Sequence, residues 1–150
     1  NTSTGIITRL MDMGVDPYLI APTFLLGIGQ RLVRKICKDS RKEILLEGKL
    51  KERITKDIEE IPSSIRKSIK IPSHIYQGVP SPKCPQGFKG RMGVYEIFSN
   101  SREMEKLIVT NPIEADIFKE ARRQGLLTMH EDALIKLLDG EISVEEIDVI

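Results

Sequence analysis

Cysteine and serine residues occur at four positions whose spacing is typical of a metal-binding knuckle. Cys37 is followed three positions later by Ser40, and Cys84 is preceded three positions earlier by Ser81. With cysteine at all four positions, this C-x2-C … C-x2-C layout would hold tetrahedral zinc. A serine hydroxyl is neutral and hard, so we predict that these positions bind no zinc. We expect the two loops to lie together nevertheless, with both cysteines as reduced thiols.

A second stretch whose residues could bind a ligand is GFKGRMGVYE, from Gly87 to Glu96, which contains three glycines. Closely spaced glycines are typical of turns and of close backbone approach. Arg91 lies between two of them and is predicted to be exposed, free to reach a carboxylate or a phosphate. Because the sequence has no GxxxxGK[ST] phosphate-binding loop, a salt bridge to a carboxylate is the favoured interpretation.

The sequence shows no spacing that is typical of a catalytic Ser/His/Asp or Cys/His set. His74 and His130 are far apart in the chain, and we interpret both as structural. The residues therefore indicate no self-contained enzyme.

Length and composition fit a globular protein. A chain of 150 residues, 40% hydrophobic and 30% charged, allows one ordinary domain or two small ones. No apolar run reaches the roughly 18 residues of a membrane span, and no secretory signal is present. Two cysteines do not make a disulfide framework, so a reducing cytosol is the simpler assumption. The chain begins with Asn1 instead of Met, which suggests a piece of a longer protein.

Charge is distributed unevenly along the chain, although the net charge is only +1. Residues 31–70 contain 13 Lys and Arg against 7 Asp and Glu, whereas residues 96–150 contain 6 against 13. The basic segment could bind nucleic acid or acidic lipid headgroups. Alternatively, the basic and acidic segments face each other, within one chain or between subunits.

One stretch, from Gly14 to Cys37, leads directly into the first knuckle turn. Its sequence GVDPYLIAPTFLLGIGQRLVRKIC is apolar at first and basic towards its end. Asp16 is placed to cap a short turn over residues 17–20. Since Pro22 should break a longer helix, we predict a second helix from Pro22 to about Ile36. Its apolar face and its basic end are predicted from helical spacing. The face would contain Phe24, Leu25, Ile28, Leu32 and Ile36, and the basic end Gln30, Arg31, Arg34 and Lys35.

The remaining sequence predicts helices at both ends and a small sheet between them. Apolar spacing favours helices over residues 4–13 and 49–60. The Pro- and Gly-rich segment 71–93 excludes helix over most of its length, and short strands are predicted at 74–77 and 91–98. Four short helices after residue 100 are expected to form a small bundle. The predicted fold class is mainly α with a small β-hairpin or sheet, that is, α+β.

Four blocks in this order resemble one protein family. They are TSTGIITRLMDMGVDPYLIA, GIGQRLVRKIC, GFKGRMGVYEIF and ARRQGLLTMHEDALIKLLDGEISVEEI. Together they resemble the C-terminal part of the ATPases of type II secretion and type IV pilus assembly, over nearly the whole chain except residues 41–72. The chain departs from that pattern where Ser40 and Ser81 replace zinc cysteines, Phe88 replaces a tyrosine and Pro22 replaces a small residue. The family's P-loop and Walker B carboxylate are not in the sequence.

The resemblance implies a hexameric, cytoplasmic motor that docks on an inner-membrane platform protein without inserting into the membrane. It divides the chain into the end of a RecA-like core (1–36), a knuckle-like subdomain (37–90) and a C-terminal helical subdomain (91–150). ATP and Mg²⁺ would act in the full-length parent, and the chain alone should not hydrolyse ATP. By this resemblance, four residues would face a neighbouring subunit or the nucleotide region: Gln30, Arg31, Arg34 and Arg91.

Two alternatives belong to other functional classes. A nucleic-acid-binding module would use the basic segment, but residues 31–70 contain no Tyr, Phe or Trp for base stacking. A metal-dependent scaffold would need the four knuckle positions to hold an ion. The motor fragment is the favoured prediction, with no nucleic acid among its partners.

Overall fold

The computed structural model describes residues 2–150, and Asn1, where the first predicted segment begins, lies outside the described residues. Within residues 2–150 the chain forms eight α-helices and four β-strands. The helices are α1 (Gly5–Asp12), α2 (Pro17–Thr23), α3 (Gly48–Glu60), α4 (Ser63–Arg66), α5 (Arg102–Ile108), α6 (Glu114–Arg123), α7 (Met129–Leu138) and α8 (Val144–Ile147). The strands are β1 (Leu26–Ile36), β2 (Arg41–Leu45), β3 (His74–Gly78) and β4 (Phe88–Ser99).

The four strands form two separate two-stranded sheets. One sheet pairs β1 with β4, and the other pairs β2 with β3. The second is antiparallel, with Arg41 opposite Gly78 at one end and Leu45 opposite His74 at the other. The α+β class is therefore confirmed. Among the helices of residues 2–150, none has the length and apolar character that crossing a membrane requires.

The chain divides into two compact units. Unit 1 contains the residues up to Gly29 together with Tyr95–Thr128. Within it α2 packs against α5, α5 against α6, and α1 against both α2 and α6. These contacts bury one apolar cluster, which consists of Ile7, Ile20, Ala21, Phe98, Met104, Ile108, Ile117, Ala121 and Leu126.

Unit 2 contains Gln30–Val94 and Met129–Ile150. Within it β2 and β3 pair, α7 packs against α3, α8 and β3, and the apolar face of α3 is buried. Its buried apolar side chains include Val33, Ile36, Ile54, Ile58, Ile75, Val94, Leu134, Leu137 and Ile142. The four helices after residue 100 are split between the units, with α5 and α6 in unit 1 and α7 and α8 in unit 2.

The helix predicted from Pro22 to Ile36 is wrong, because most of this segment is the strand β1. Two side chains assigned to its buried face, Leu25 and Leu32, are 80% and 57% exposed. Glycine explains the difference. A Cβ atom on Gly27 would lie only 2.4 Å from the ring of Phe98, so the backbone must approach that ring without a side chain. Glycine also disfavours a helix interior, and pairing with β4 supplies the backbone hydrogen bonds instead.

Pro22 does not break the chain where we predicted. The helix α2 runs continuously over Pro17–Thr23 with Pro22 inside it. The cap prediction at its start is confirmed, because Asp16 Oδ1 accepts from the backbone N–H of Tyr18 at 2.8 Å. A proline next to the last residue removes one hydrogen bond near the end of the helix, and the backbone becomes extended at Phe24.

Several predicted elements are confirmed. The helix α3 and the strand β3 match the predicted segments to within one residue. The strand predicted at 91–98 lies within β4, where Val94 and Glu96 are buried whereas Tyr95 and Ile97 are partly exposed. The strand β2 was not predicted, because its sequence RKEIL is mostly charged and all of its side chains lie at least partly exposed.

Candidate functional site

The acidic end of the chain lies against the basic half of β1, within unit 2. The backbone N–H of Ile36 donates to the carbonyl of Glu141 at 2.9 Å. The Glu141 carboxylate accepts from Lys38 Nζ at 2.9 Å, and Lys35 Nζ lies 3.4 Å from its other oxygen. Farther along, Arg53 pairs with Asp148. The opposite charges seen in the sequence therefore meet within one chain, which is one of the two alternatives that charge alone left open.

Arg34 makes the most extensive of these contacts. Its Nε donates to Glu146 Oε1 at 2.8 Å, and its backbone N–H donates to Glu146 Oε2 at 2.7 Å. Its guanidinium carbon also lies 4.1 Å from the centre of the Phe88 ring. The Glu146 side chain is 4% exposed, whereas that of Arg34 is 50% exposed. One arginine thus supplies both the positive charge and the hydrogen bonds that a buried carboxylate needs.

The other three predicted interface residues separate into two kinds. Arg31 Nη1 donates to the backbone carbonyl of Ile150, and the carbonyl of Val149 is 3.4 Å away. Gln30 and Arg91 are exposed and form no polar side-chain contact within residues 2–150. Arg31 and Arg34 therefore contact residues 146–150, which we call the C-terminal segment. Gln30 and Arg91 are exposed to solvent.

Ionisation of Glu141 responds to its lysine neighbours. The hydrogen bond from Lys38 lowers the pKa of the Glu141 carboxyl, and Lys35 acts in the same direction, although partial burial opposes both. The Glu141 carboxylate is therefore charged at neutral pH. The contacts of its side chain with Lys35 and Lys38 hold Glu141 where its backbone carbonyl accepts the hydrogen bond from the Ile36 N–H.

The four knuckle positions lie together in unit 2. The Cys37–Ser40 turn is closed by a hydrogen bond from Ser40 N–H to the Cys37 carbonyl at 3.1 Å. The Ser81–Cys84 turn is closed in the same way, also at 3.1 Å. Cys37 and Cys84 form a disulfide, with their Cα atoms 6.4 Å apart. The predicted proximity is confirmed, but the prediction of reduced thiols is wrong because the two sulfur atoms are bonded to each other.

This donor set does not fit zinc. Both sulfur atoms are bound in the disulfide, so neither is a thiolate. Ser81 Oγ accepts from the backbone N–H of Cys84 at 3.1 Å, and Ser40 Oγ is buried without a hydrogen-bond partner among residues 2–150. Across residues 2–150, no cluster of three or more His, Cys, Asp or Glu side chains is placed to hold a metal ion.

The partners of two buried glutamates, Glu146 and Glu96, were not identified from the sequence. Glu146 could have been suspected from the excess of acidic residues near the chain's end, opposite a basic segment. Glu96 gave no such signal. Its Oε1 accepts from both the N–H and the hydroxyl of Ser3, each at 2.7 Å, within unit 1. This buried carboxylate holds the chain that leads into α1.

Unit 1 carries an apolar groove of about 510 Å³ at its surface. It is lined by residues of α1, α2 and the start of β1, among them Leu10, Val15, Leu19, Phe24 and Leu25. Two of these residues, Leu19 and Leu25, are more than half exposed. An exposed apolar surface of this kind is typical of a site that contacts other protein.

Comparison with known sequences decides the family. The model of the family described as "Type II/IV secretion system protein" matches residues 1–149. The chain belongs to this family. This match confirms the family resemblance that the four sequence blocks indicated.

Three curated relatives of the chain are named as ATPases of type IV pilus assembly or type II secretion. The type IV pilus assembly ATPase TfpB of Acinetobacter baylyi is 32% identical over 148 residues, 98% of the chain and 24% of the relative. PilB of Pseudomonas aeruginosa, a type IV pilus assembly ATPase, is 30% identical over 99% of the chain and 25% of the relative. The type II secretion system ATPase E of Vibrio cholerae is 31% identical over 98% of the chain and 27% of the relative. The chain spans about a quarter of the length of these relatives.

Proposed function

We propose that the chain is the C-terminal, non-catalytic portion of a hexameric ATPase that powers type IV pilus assembly or type II protein secretion. The family match over residues 1–149 carries this proposal. The sequence contains no P-loop, so nucleotide chemistry belongs to a part of the parent outside these residues. ATP and Mg²⁺ are the parent's ligands, and the chain supplies contacts between subunits.

The proposed parent is cytoplasmic and reaches the inner membrane by docking on a platform protein. Within it, residues 1–36 end the RecA-like core, 37–90 form the knuckle-like subdomain and 91–150 the C-terminal helical subdomain. The exposed apolar groove of unit 1 supports this division, because its lining lies largely in the first segment and would be covered by the rest of such a core.

Among the interface residues, Gln30 and Arg91 are proposed to contact a neighbouring subunit or the nucleotide region directly. Both are exposed and have no polar partner within residues 2–150, so their side chains are available to another chain. Arg31 and Arg34 act indirectly, because their contacts with Ile150 and Glu146 position the C-terminal segment beside β1.

The two alternative functions have less support. A nucleic-acid-binding module needs unneutralised cations, but Lys35, Lys38 and Arg53 all pair with C-terminal carboxylates. A metal-dependent scaffold needs a donor set that the disulfide-bonded knuckle does not offer.

The proposal is tested first by reading the coding sequence immediately upstream of Asn1. We expect a GxxxxGK[ST] loop and a Walker B carboxylate there, and purified chain alone should hydrolyse ATP no faster than buffer. A coding sequence with no P-loop upstream, or hydrolysis by the purified chain above background, would overturn the proposal.

The interface role is tested in the full-length parent. Arg91→Ala should reduce the fraction of hexamer seen by light scattering, because the side chain is free to contact a neighbouring subunit. Lys67→Ala is the matched control, since Lys67 is also an exposed cation without a polar partner in residues 2–150. Equal hexamer fractions for Arg91→Ala and the unmodified parent would contradict the assignment of Arg91.

A further inference from the structure

We propose that the Cys37–Cys84 disulfide is a redox-dependent clasp that closes residues 38–83 at their two ends, in the place where four thiolates would hold a metal. The proposal goes beyond the motor role and does not depend on it. It rests on three features of unit 2, namely the paired turns, the segment that they enclose and the chemistry of the four donor positions.

The two turns form a neck where the enclosed segment leaves and rejoins the strands. The Cys37 N–H donates to the Gly87 carbonyl, and the Val79 N–H donates to the Ser40 carbonyl, each at 3.0 Å. A Cβ atom on Gly78 would lie 2.4 Å from the carbonyl oxygen of Gly87, so the two backbones are in direct contact. Backbone hydrogen bonds therefore already hold the two turns of the neck together, and the disulfide adds a covalent bond between them.

The segment enclosed by the clasp contains β2, α3, α4 and β3. The two cysteines that close it are 47 positions apart in the chain. Its own sheet has only five residue pairs, from Arg41–Gly78 to Leu45–His74. A two-stranded sheet on its own is marginally stable in water, so this one depends on the packing of β3 against α7 and on what holds its ends together. The Arg41–Gly78 end of this sheet lies directly beside the neck, because Val79 and Ser40 are bonded there.

The four donor positions retain the arrangement of a knuckle but not its chemistry. Each turn presents a cysteine and a serine three positions apart, and the Ser40 hydroxyl is buried with no hydrogen-bond partner in the described part of the chain. Two thiolates and two neutral hydroxyls would hold zinc weakly, whereas two adjacent thiols can be oxidised to a covalent bond. The disulfide thus makes the connection across the neck without a metal.

Opening the clasp is a two-electron thiol–disulfide exchange with a dithiol. One thiolate of the dithiol attacks a cysteine sulfur to form a mixed disulfide, and the second thiolate then releases it. The Cys37–Cys84 bond is broken, both residues become thiols, and the dithiol is oxidised to its own disulfide. Because Cys37 and Cys84 are 1% and 2% exposed, a reductant reaches them only after the neck opens.

The test begins with the redox state of the whole chain isolated without reductant. After denaturation and alkylation, mass spectrometry should find neither cysteine alkylated, and elemental analysis should find no stoichiometric zinc. Alkylation of both cysteines, or one zinc per chain, would overturn the proposal.

The second measurement compares amide hydrogen exchange in the oxidised chain with exchange in the chain reduced in denaturant and refolded with a dithiol. Reduction should speed exchange in β2 and β3 by about tenfold or more, and reoxidation should reverse the change. Exchange in α6, in unit 1, is the internal control and should not change. Unchanged exchange in β2 and β3, or an equal change in α6, would overturn the proposal.

Two double variants complete the test. C37S/C84S should show the fast exchange of the reduced chain whether or not a dithiol is present, with α6 still protected. S40C/S81C, prepared under a dithiol, should bind one zinc and regain slow exchange in β2 and β3, because it restores four thiolates to the two turns. Failure of S40C/S81C to bind zinc would overturn the claim that the disulfide stands in the place of a metal.

Discussion

Unit 1 and unit 2 each bury a glutamate but satisfy it in different ways. In unit 1, Glu96 accepts two hydrogen bonds from the neutral Ser3. In unit 2, Glu146 accepts from the backbone and the charged side chain of Arg34. The two units also differ in what they bury, because unit 1 is built on one apolar cluster whereas unit 2 buries a disulfide and the carboxylate of the Arg34–Glu146 ion pair.

The difference follows from what each segment can bury. The four helices of unit 1 contribute apolar side chains to a common cluster. Residues 140–150 of unit 2 bury two isoleucines, Ile142 before the four-residue helix α8 and Ile147 within it, among acidic neighbours. They bury less apolar surface than the cluster of unit 1, so the charged contacts with β1 contribute a larger share of what holds these residues in place. Unit 1 should therefore be sensitive to loss of apolar volume, and the end of unit 2 to loss of charge.

The largest expected effect is on the apolar cluster of unit 1. Ile117→Ala should lower the free energy of unfolding of unit 1 by about 2–5 kcal/mol, because Ile117 is 0% exposed and its removal leaves a cavity. Urea denaturation followed by hydrogen exchange in α5 and α6 measures this loss. Ile113→Ala is the matched control, since Ile113 is 66% exposed and its loss should have little effect. Equal losses for the two variants would contradict the assigned core.

The next effect tests the charged contact of unit 2. Arg34→Ala should cost about 2–3 kcal/mol, because it leaves the buried Glu146 carboxylate without its cation and without the Nε hydrogen bond. Urea denaturation, with hydrogen exchange read in α7 and α8, measures the loss. Lys42→Ala removes an exposed cation with no polar partner in residues 2–150 and serves as control.

Arg34→Lys sharpens the same prediction. Lysine keeps the positive charge but cannot reproduce the planar contact with Phe88 together with the Nε bond to Glu146. Its loss of stability should lie between those of the unmodified chain and Arg34→Ala. A fully stable Arg34→Ala chain would mean that Glu146 does not need the ion pair.

A smaller loss of stability is expected when the contact between Ser3 and Glu96 in unit 1 is weakened. Ser3→Ala removes the hydroxyl donor to Glu96 but keeps the backbone N–H donor, so it should cost about 1–2 kcal/mol. The unfolding free energy from urea denaturation measures this loss. Ser99→Ala, at an exposed position of β4, is the control. A loss larger than that of Arg34→Ala would reverse the order of the two glutamate contacts.

The smallest effect concerns pH and Glu141. The pKa of this carboxyl is lower in the folded chain than in the unfolded chain, chiefly because Lys38 donates to it. Its contribution to stability is therefore present above the unfolded pKa, about 4.3, and is lost as the pH falls through the folded value. Glu141→Gln should cost less than about 1 kcal/mol at pH 7, as partly exposed ion pairs do, and nothing once the pH is below the folded value.

The measurement is the difference in unfolding free energy between the unmodified chain and Glu141→Gln across this pH range. Taking the difference removes the acid effects of the other carboxylates, which both proteins share. Asp139→Asn is the control, because Asp139 is exposed. A difference that grows as the pH falls would contradict the assigned direction of the pKa.

Local patterns predicted the elements that local contacts stabilise. The helix at 49–60 and the strand at 91–98 were predicted directly along the chain, and the structure confirms both as parts of α3 and β4. The Asp16 cap was predicted because it acts on a backbone N–H two positions away. The segment over residues 26–36 was assigned wrongly, because its apolar spacing fits a helix and its pairing partner β4 is far along the chain.

The candidate site divides in the same way. The sequence alone determined that four knuckle positions are spaced as two turns, that a basic segment is followed by an acidic one, and that the chain resembles the secretion and pilus ATPases. Only the tertiary structure decided that Cys37 and Cys84 are bonded to each other and that Arg34 pairs with Glu146. Composition and spacing report which groups a chain carries. Bonding and ion pairing require two groups to meet in space, and for residues 47 or 112 positions apart only the folded backbone brings them together.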